Sequence, residues 1–180
     1  MTQLPVEVLS EEEAARLIAQ PDRDDVHELR DAAILSVLYY AAATASEIAD
    51  LDIGDLDREG AEIRFRGEQR RPRRVPLEGP LAEILGRYLE QSRRLLLAHG
   101  GATGDDELPA VFVTNKGHRV HVRDIRQILG THSKAAGLKA AVNYNTLRLS
   151  RAWHLREAGE APEKIQRMLG ASGRSGRRVV

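Results

Sequence analysis

Apolar residues recur along this chain with helical spacing over most of its length and with strand spacing in one short stretch. Ser10-Glu11-Glu12-Glu13 has the form of a capping box, and Ala14, Leu17 and Ile18 supply one apolar stripe behind it, which predicts a helix to about Gln20. Pro21-Asp22-Arg23-Asp24-Asp25 interrupts the pattern. From Val26 to Ala43 the apolar positions are dense enough for a buried helix, and Thr44 or Ser46 can cap a following one that carries Ile48 and Leu51. Residues 52–60 alternate Asp and Gly and read as a turn-rich loop.

The period then changes. Glu62-Ile63-Arg64-Phe65-Arg66 alternates polar and apolar, which predicts a half-exposed strand. Residues 67–72 form a turn, and Arg73-Arg74-Val75-Pro76-Leu77 returns as an edge strand, since Pro76 cannot donate to a ladder. Residues 81–98 predict a long amphipathic helix, 100–107 a polar loop, and Ala110-Val111-Phe112-Val113 a short strand. Three helices near 121–136, 146–158 and 161–169 complete the order. Helices, a small sheet, then helices predict a mainly α class with a minor antiparallel β-sheet, an α+β arrangement.

Composition narrows the function. There is no cysteine, which excludes disulfides and thiolate metal sites. No apolar run approaches the ~20 residues of a membrane span, and the N-terminus lacks a signal pattern, so a cytoplasmic protein without a membrane partner is expected. Net charge is zero, yet residues 1–60 hold 15 acidic and 4 basic side chains whereas residues 101–180 hold 7 and 14. Neutral overall, the chain is polarised, and a basic face is the expected consequence if its arginines converge. The six histidines show no clean metal spacing; the pair His118 and His121 reads as a polar helix start. No phosphate loop and no dinucleotide fingerprint occur, so no cofactor, metal or small-molecule substrate is expected.

The most informative stretch is Asn145-Thr146-Leu147-Arg148-Leu149-Ser150-Arg151-Ala152-Trp153-His154-Leu155-Arg156-Glu157-Ala158-Gly159. It resembles the H-x-L-R-H-x-x-A-x-x-L-x-x-G segment of the tyrosine recombinase (phage integrase) family. Arg30-Asp31-Ala32-Ala33-Ile34-Leu35 is similar to that family's R-D-x-A-l-L, the run from Leu38 to Ile48 to its L-l-Y-a-T-G-L-R-v-S-E-L, and Ile165-Gln166-Arg167-Met168-Leu169-Gly170 to its h-x-x-L-L-G-H. The matches follow in order from Leu9 onward. The resemblance therefore implies the catalytic-domain fold of that family. It also suggests one such unit over residues 1–171 without a preceding DNA-clamping domain, and a flexible basic tail over 172–180.

Position by position, the same resemblance places the family's catalytic arginine, lysine, histidine, arginine, histidine and tyrosine on Thr44, Glu68, Asn145, Arg148, Ala171 and Val180. Only Arg148 keeps the expected residue. In the family a tyrosine oxygen attacks a DNA phosphodiester, and the charge that builds on phosphate must be neutralised; one lost oxyanion donor alone can cost ~10²–10³ in rate. Thr44 and Asn145 can hydrogen-bond phosphate without charge, and Glu68 carries the opposite sign. The expectation is thus a catalytically inactive recombinase-like protein linked to DNA recombination, not an enzyme, which binds double-stranded DNA weakly. Contacts to the DNA backbone are expected from Arg148, from Arg70, Arg71 and Arg73 on the hairpin, and from Lys116, Arg119 and Arg123. Two alternatives stand beside it: an interaction module that partners itself or an active recombinase, and a remnant of a decaying mobile element.

Overall fold

The structure is a computed structural model that describes residues 8–57, 59–67, 72–100, 109–138 and 142–170. Its elements are α1 (Glu11–Ala19), α2 (Val26–Tyr40), α3 (Ala45–Ala49), β1 (Leu56–Asp57), β2 (Glu62–Phe65), β3 (Arg73–Pro76), α4 (Gly79–Arg87), α5 (Arg94–His99), α6 (Val122–Ala135), α7 (Tyr144–Glu157) and α8 (Pro162–Leu169). A mainly helical fold with a small antiparallel sheet is what the residue periods predicted.

Helix boundaries follow local chemistry. Ser10 Oγ accepts from Glu13 N at 3.1 Å while the Glu13 carboxylate accepts from Ser10 N at 2.9 Å, so both orphan amides at the start of α1 are satisfied. The Asp25 carboxylate accepts from His27 N and Glu28 N and opens α2. Thr44 and Glu47 repeat the reciprocal cap on α3. Asn143 does the same duty for α7, accepting from Asn145 N at 2.8 Å and Thr146 N at 3.1 Å. Gly170 ends α8 with φ 60°, a conformation that glycine adopts without a Cβ penalty.

α2 is the central element. All of Leu29 to Tyr39 is buried, and the helix packs against α1, α3, α4, α6 and α7. It stops at Tyr40, earlier than its apolar run suggests, because Ala42 takes a left-handed φ of 46° and turns the chain. Three carbonyls in that turn, at 41–43, no longer belong to a helix ladder. A second, smaller cluster of Ala42, Ala152, Ile165 and Leu169 seals α7 and α8 onto this turn.

The sheet has the order β1-β2-β3, antiparallel throughout, with Ile63 opposite Val75 and Phe65 opposite Arg73. β1 lies inside the stretch that the sequence reads as loop. Residues 110–113, read from sequence as a strand, are an extended segment with isolated bridges Asp52 to Ala110 and Val113 to Arg119. Val111 N donates to Leu51 O at 2.9 Å and Phe112 O accepts from Val120 N at 3.0 Å, and side chains supply the remaining partners. The Tyr88 hydroxyl donates to Val111 O (3.0 Å) and accepts from Val113 N (3.2 Å), and Arg93 Nε donates to Ala110 O (3.0 Å). Tyr88 and Arg93 reach the segment from a π-helical turn, Tyr88–Arg93, that joins α4 to α5 and adds a residue to the helical turn.

Candidate functional site

A cleft of about 400 Å³ opens between the sheet, α3 and the start of α7. Its wall includes Thr44, Arg66, Arg119, Tyr144 and Asn145. Thr44 is there because it caps α3, and Asn145 because it occupies the exposed first turn of α7. The two arginines are held by one carboxylate. Arg66 Nη2 donates to Asp52 Oδ2 at 2.8 Å and Arg119 Nη2 donates to Asp52 Oδ1 at 2.6 Å. Burial pushes the Asp52 carboxyl up, but hydrogen bonds from Arg119 and Arg66 outweigh it and leave the group below the usual carboxylate range. Arg66 also reaches Asp55 through Nε at 3.1 Å, and Arg119 Nη1 reaches Ala49 O at 3.0 Å. The Arg66 side chain remains 58% exposed, so its guanidinium faces solvent as well as Asp52.

Two more arginines lie beneath the cleft and are buried. Arg73 makes a two-point pair with Glu47, Nε to Oε1 and Nη2 to Oε2, both at 3.0 Å. It also donates to Ala41 O at 2.9 Å and to Met168 O, and its guanidinium stacks over Phe65. Burial pushes the Glu47 carboxyl up, and the Arg73 hydrogen bond and charge more than reverse this. Arg148 Nη1 donates to Ala42 O at 2.6 Å, and Nη2 donates to Leu169 O. Both guanidiniums therefore fasten the 41–43 turn to the end of α8.

Those sequence-predicted residues that the structure describes fall into three groups. Thr44, Asn145 and Arg119 come together at the cleft. Lys116 stands at an exposed turn, and Arg123, exposed on the first turn of α6, lies with Lys116 and Arg119 around a second depression beside Arg30 and Asp31. Arg73 and Arg148 are only 6% exposed. Both are expected from the sequence at the DNA backbone, and in the structure both guanidiniums turn to buried partners, Arg73 to Glu47 and Arg148 to Ala42 O. Strand alternation puts Arg73 and Val75 inward and Arg74 outward, where Arg74 pairs with Glu62. Glu68, Arg70, Arg71, Ala171, Val180 and the tail 172–180 lie outside the described residues.

Residue-by-residue reading missed Arg66. Its signal was present, as the last outward position of the alternating run that begins at Glu62, next to the acidic pair Asp52 and Asp55. Among the tyrosines, Tyr39 and Tyr88 are buried, and burial drives the Tyr88 hydroxyl far up; Tyr144 is half-buried on the cleft wall. Among the described residues no three His, Asp or Glu side chains are grouped as metal ligands, and no helix is long and apolar enough to cross a membrane.

Comparison with known proteins adds a decisive observation. The family profile described as "Phage integrase family" matches residues 7–174. The chain belongs to the phage integrase family. This integrase-family chain is 36% identical over 162 residues to tyrosine recombinase XerC of Pelotomaculum thermopropionicum, a match that covers 90% of the chain and 52% of the relative. It is 33% identical over 142 residues to tyrosine recombinase XerD of Mycobacterium tuberculosis, covering 79% of the chain and 44% of that protein. The fold superimposes on the crystal structure of XerA recombinase with a TM-score of 0.80 at 29% identity, covering 98% of the chain and 60% of that structure. A crystal structure of XerH site-specific recombinase bound to difH substrate gives 0.78 at 21% identity, covering 99% and 51%. The chain thus spans about half the length of the curated relatives that it matches.

These relatives correct one expectation. Six positions of the family motif predict a chain that is not an enzyme. The proteins that it matches along most of its length are named tyrosine recombinases, which are enzymes. Six motif positions weigh single residues, whereas the similarity extends over nearly the whole chain.

Proposed function

We propose that this integrase-family chain engages duplex DNA in a recombination reaction, with the cleft beside α7 facing the phosphate backbone. The observation that carries the reading is the convergence of Arg66 from the end of β2, Arg119 from the turn after Val113, and Asn145 from the first turn of α7 on one cleft. Arginine forks and an amide at a helix start are donors suited to phosphate oxygens, and they position a duplex without reading its sequence. Asp52 holds both arginines in place and partly cancels their charge, so binding is expected to be weak, with Kd on the order of 10⁻⁴–10⁻⁶ M at physiological salt.

The test is fluorescence anisotropy with a labelled duplex over a series of salt concentrations. Arg66→Ala and Arg119→Ala are compared with the parent, and Arg74→Ala serves as a control on the outer face of β3. Affinity should fall with salt, and each cleft variant should lower the logarithmic salt slope by about one while Arg74→Ala leaves it nearly unchanged. Absence of binding at low salt, or an equal effect of all three variants, removes the cleft from this role.

A further inference from the structure

Leu9 gives both of its backbone polar groups to side chains of one helix. Its N–H donates to Ser150 Oγ at 2.9 Å, and its carbonyl stands 2.9 Å from His154 Nε2. Ser150 and His154 are one turn apart on α7, so the grip has two points. A carbonyl only accepts, which requires His154 Nε2 to carry the proton. In the neutral ring Nδ1 then accepts, and Tyr39 Oη lies 2.7 Å from it as the donor. Ser150 Oγ in turn donates to Thr146 O at 2.7 Å. The donors run in one direction, from Tyr39 to His154 to Leu9 to Ser150 to Thr146, and each of these five residues is buried.

A coil segment ordinarily finds partners for its backbone in water or in neighbouring backbone. Leu9 instead depends on α7, and α7 is also the helix that carries Tyr144, Asn145 and Arg148. Helical geometry separates the two attachments. At about 100° per residue, Ser150 and His154 lie well away from the stripe of Arg148 and Ala152. That stripe meets the 41–43 turn and α8. α7 is therefore held on one side by the segment that enters at Leu9 and on another by the floor of the cleft.

We propose that Ser150 and His154 are positioning residues that couple the segment entering at Leu9 to the cleft, so that releasing Leu9 loosens the first turns of α7 and weakens DNA engagement. The DNA part of this inference rests on the function proposed above; the mechanical part does not. Leu9 is then the point at which a displacement of its own backbone is felt at Asn145 and Arg148.

Amide hydrogen exchange by NMR on the full chain, together with the DNA titration, tests it. Ser150→Ala and His154→Phe remove one grip each, while Ser150→Thr and His154→Gln keep a hydroxyl and a donor. In the first pair the amides of Leu9 and of residues 147–149 should lose protection together. DNA affinity should fall roughly three- to tenfold with the salt slope unchanged, because no phosphate contact is removed. The second pair should restore both. Free exchange at Leu9 with α7 fully protected overturns the coupling, and so does a loss that Ser150→Thr and His154→Gln fail to restore. Joint loss of protection in the first pair, with a parent that binds no DNA at low salt, supports the coupling and overturns the DNA reading instead.

Discussion

Arg73 on β3 and Glu47 on α3 are joined by two parallel hydrogen bonds of 3.0 Å, with side chains only 2% and 8% exposed. The pair ties the hairpin to the helix that Thr44 caps. Its geometry leaves little of either charge without a partner, since Arg73 also serves Ala41 O and Glu47 also serves the Thr44 amide.

Removing one partner strands the other in the interior. Glu47→Ala and Arg73→Met are each expected to destabilise the protein by about 3–5 kcal/mol. Urea unfolding followed by circular dichroism measures this, and a loss under about 1 kcal/mol would show that the pair is dispensable. A change in DNA affinity for Arg73→Met should vanish when comparison is restricted to folded protein.

The same carboxylate predicts an acid limb in stability. Glu47 has a folded pKa below its unfolded value, so the unfolded chain binds more protons as pH falls. The stability it contributes is present above about pH 4.3 and is lost as pH drops through the folded value. Asp52, held down by Arg119 and Arg66, acts in the same direction. Glu47→Gln should flatten the fall in stability below pH 4.3, and a profile unchanged from the parent would deny Glu47 that part.

His154 works with the opposite charge. Burial lowers its pKa, the Leu9 carbonyl and Glu11 on α1 oppose this, and Arg151 on α7 adds to it; Tyr39 on α2 faces Nδ1. The folded state therefore resists protonation, and stability should decline as pH falls below about 6.5 toward the folded value. His154→Gln should lose that slope on the acid side of about pH 6.5. Persistence of the slope would assign it to another histidine.

Tyr88 supplies Val111 O and Val113 N of the 110–113 segment with a hydrogen-bond partner, beside the segment's backbone bonds to Leu51 and Val120. Tyr88→Phe keeps the stacking on Phe112 and leaves Val111 O and Val113 N without the hydroxyl. A loss of about 1–3 kcal/mol is expected in thermal or urea unfolding. A neutral variant would mean that the segment satisfies its own backbone.

Much of the architecture was legible because it rests on local chemistry. Ser10 and Glu13 announce α1, Asp25 follows a proline break to open α2, and Glu62 to Phe65 alternates as a strand does. The segment around Arg148 is a helix for reasons visible in its spacing. What escaped were facts of tertiary origin. Alternation about Val75 puts Arg73 on the inner face, but nothing local tells that its guanidinium meets Glu47, 26 positions away. The 110–113 segment has strand composition, yet beside its backbone bonds to Leu51 and Val120 it takes partners, Tyr88 and Arg93, from a helix whose extra π residue no periodic pattern reveals. Arg66 and Arg119 meet at Asp52 across sequence separations that only the fold closes.

The carbonyl oxygen of Ala42 accepts from Arg148 and, more distantly, from Arg73, across 106 and 31 positions of sequence. That single atom therefore joins the first third of the chain to both the hairpin and α7. Contacts of such range carry a large closure entropy, so this corner is expected to set after α2 and the hairpin have formed and only once α7 has arrived. A nascent chain that ends before Arg148 would have its hairpin arginine in place and no second clasp. Cooperativity at the cleft is then a property conferred late, by the last third of the polypeptide on a turn laid down in the first.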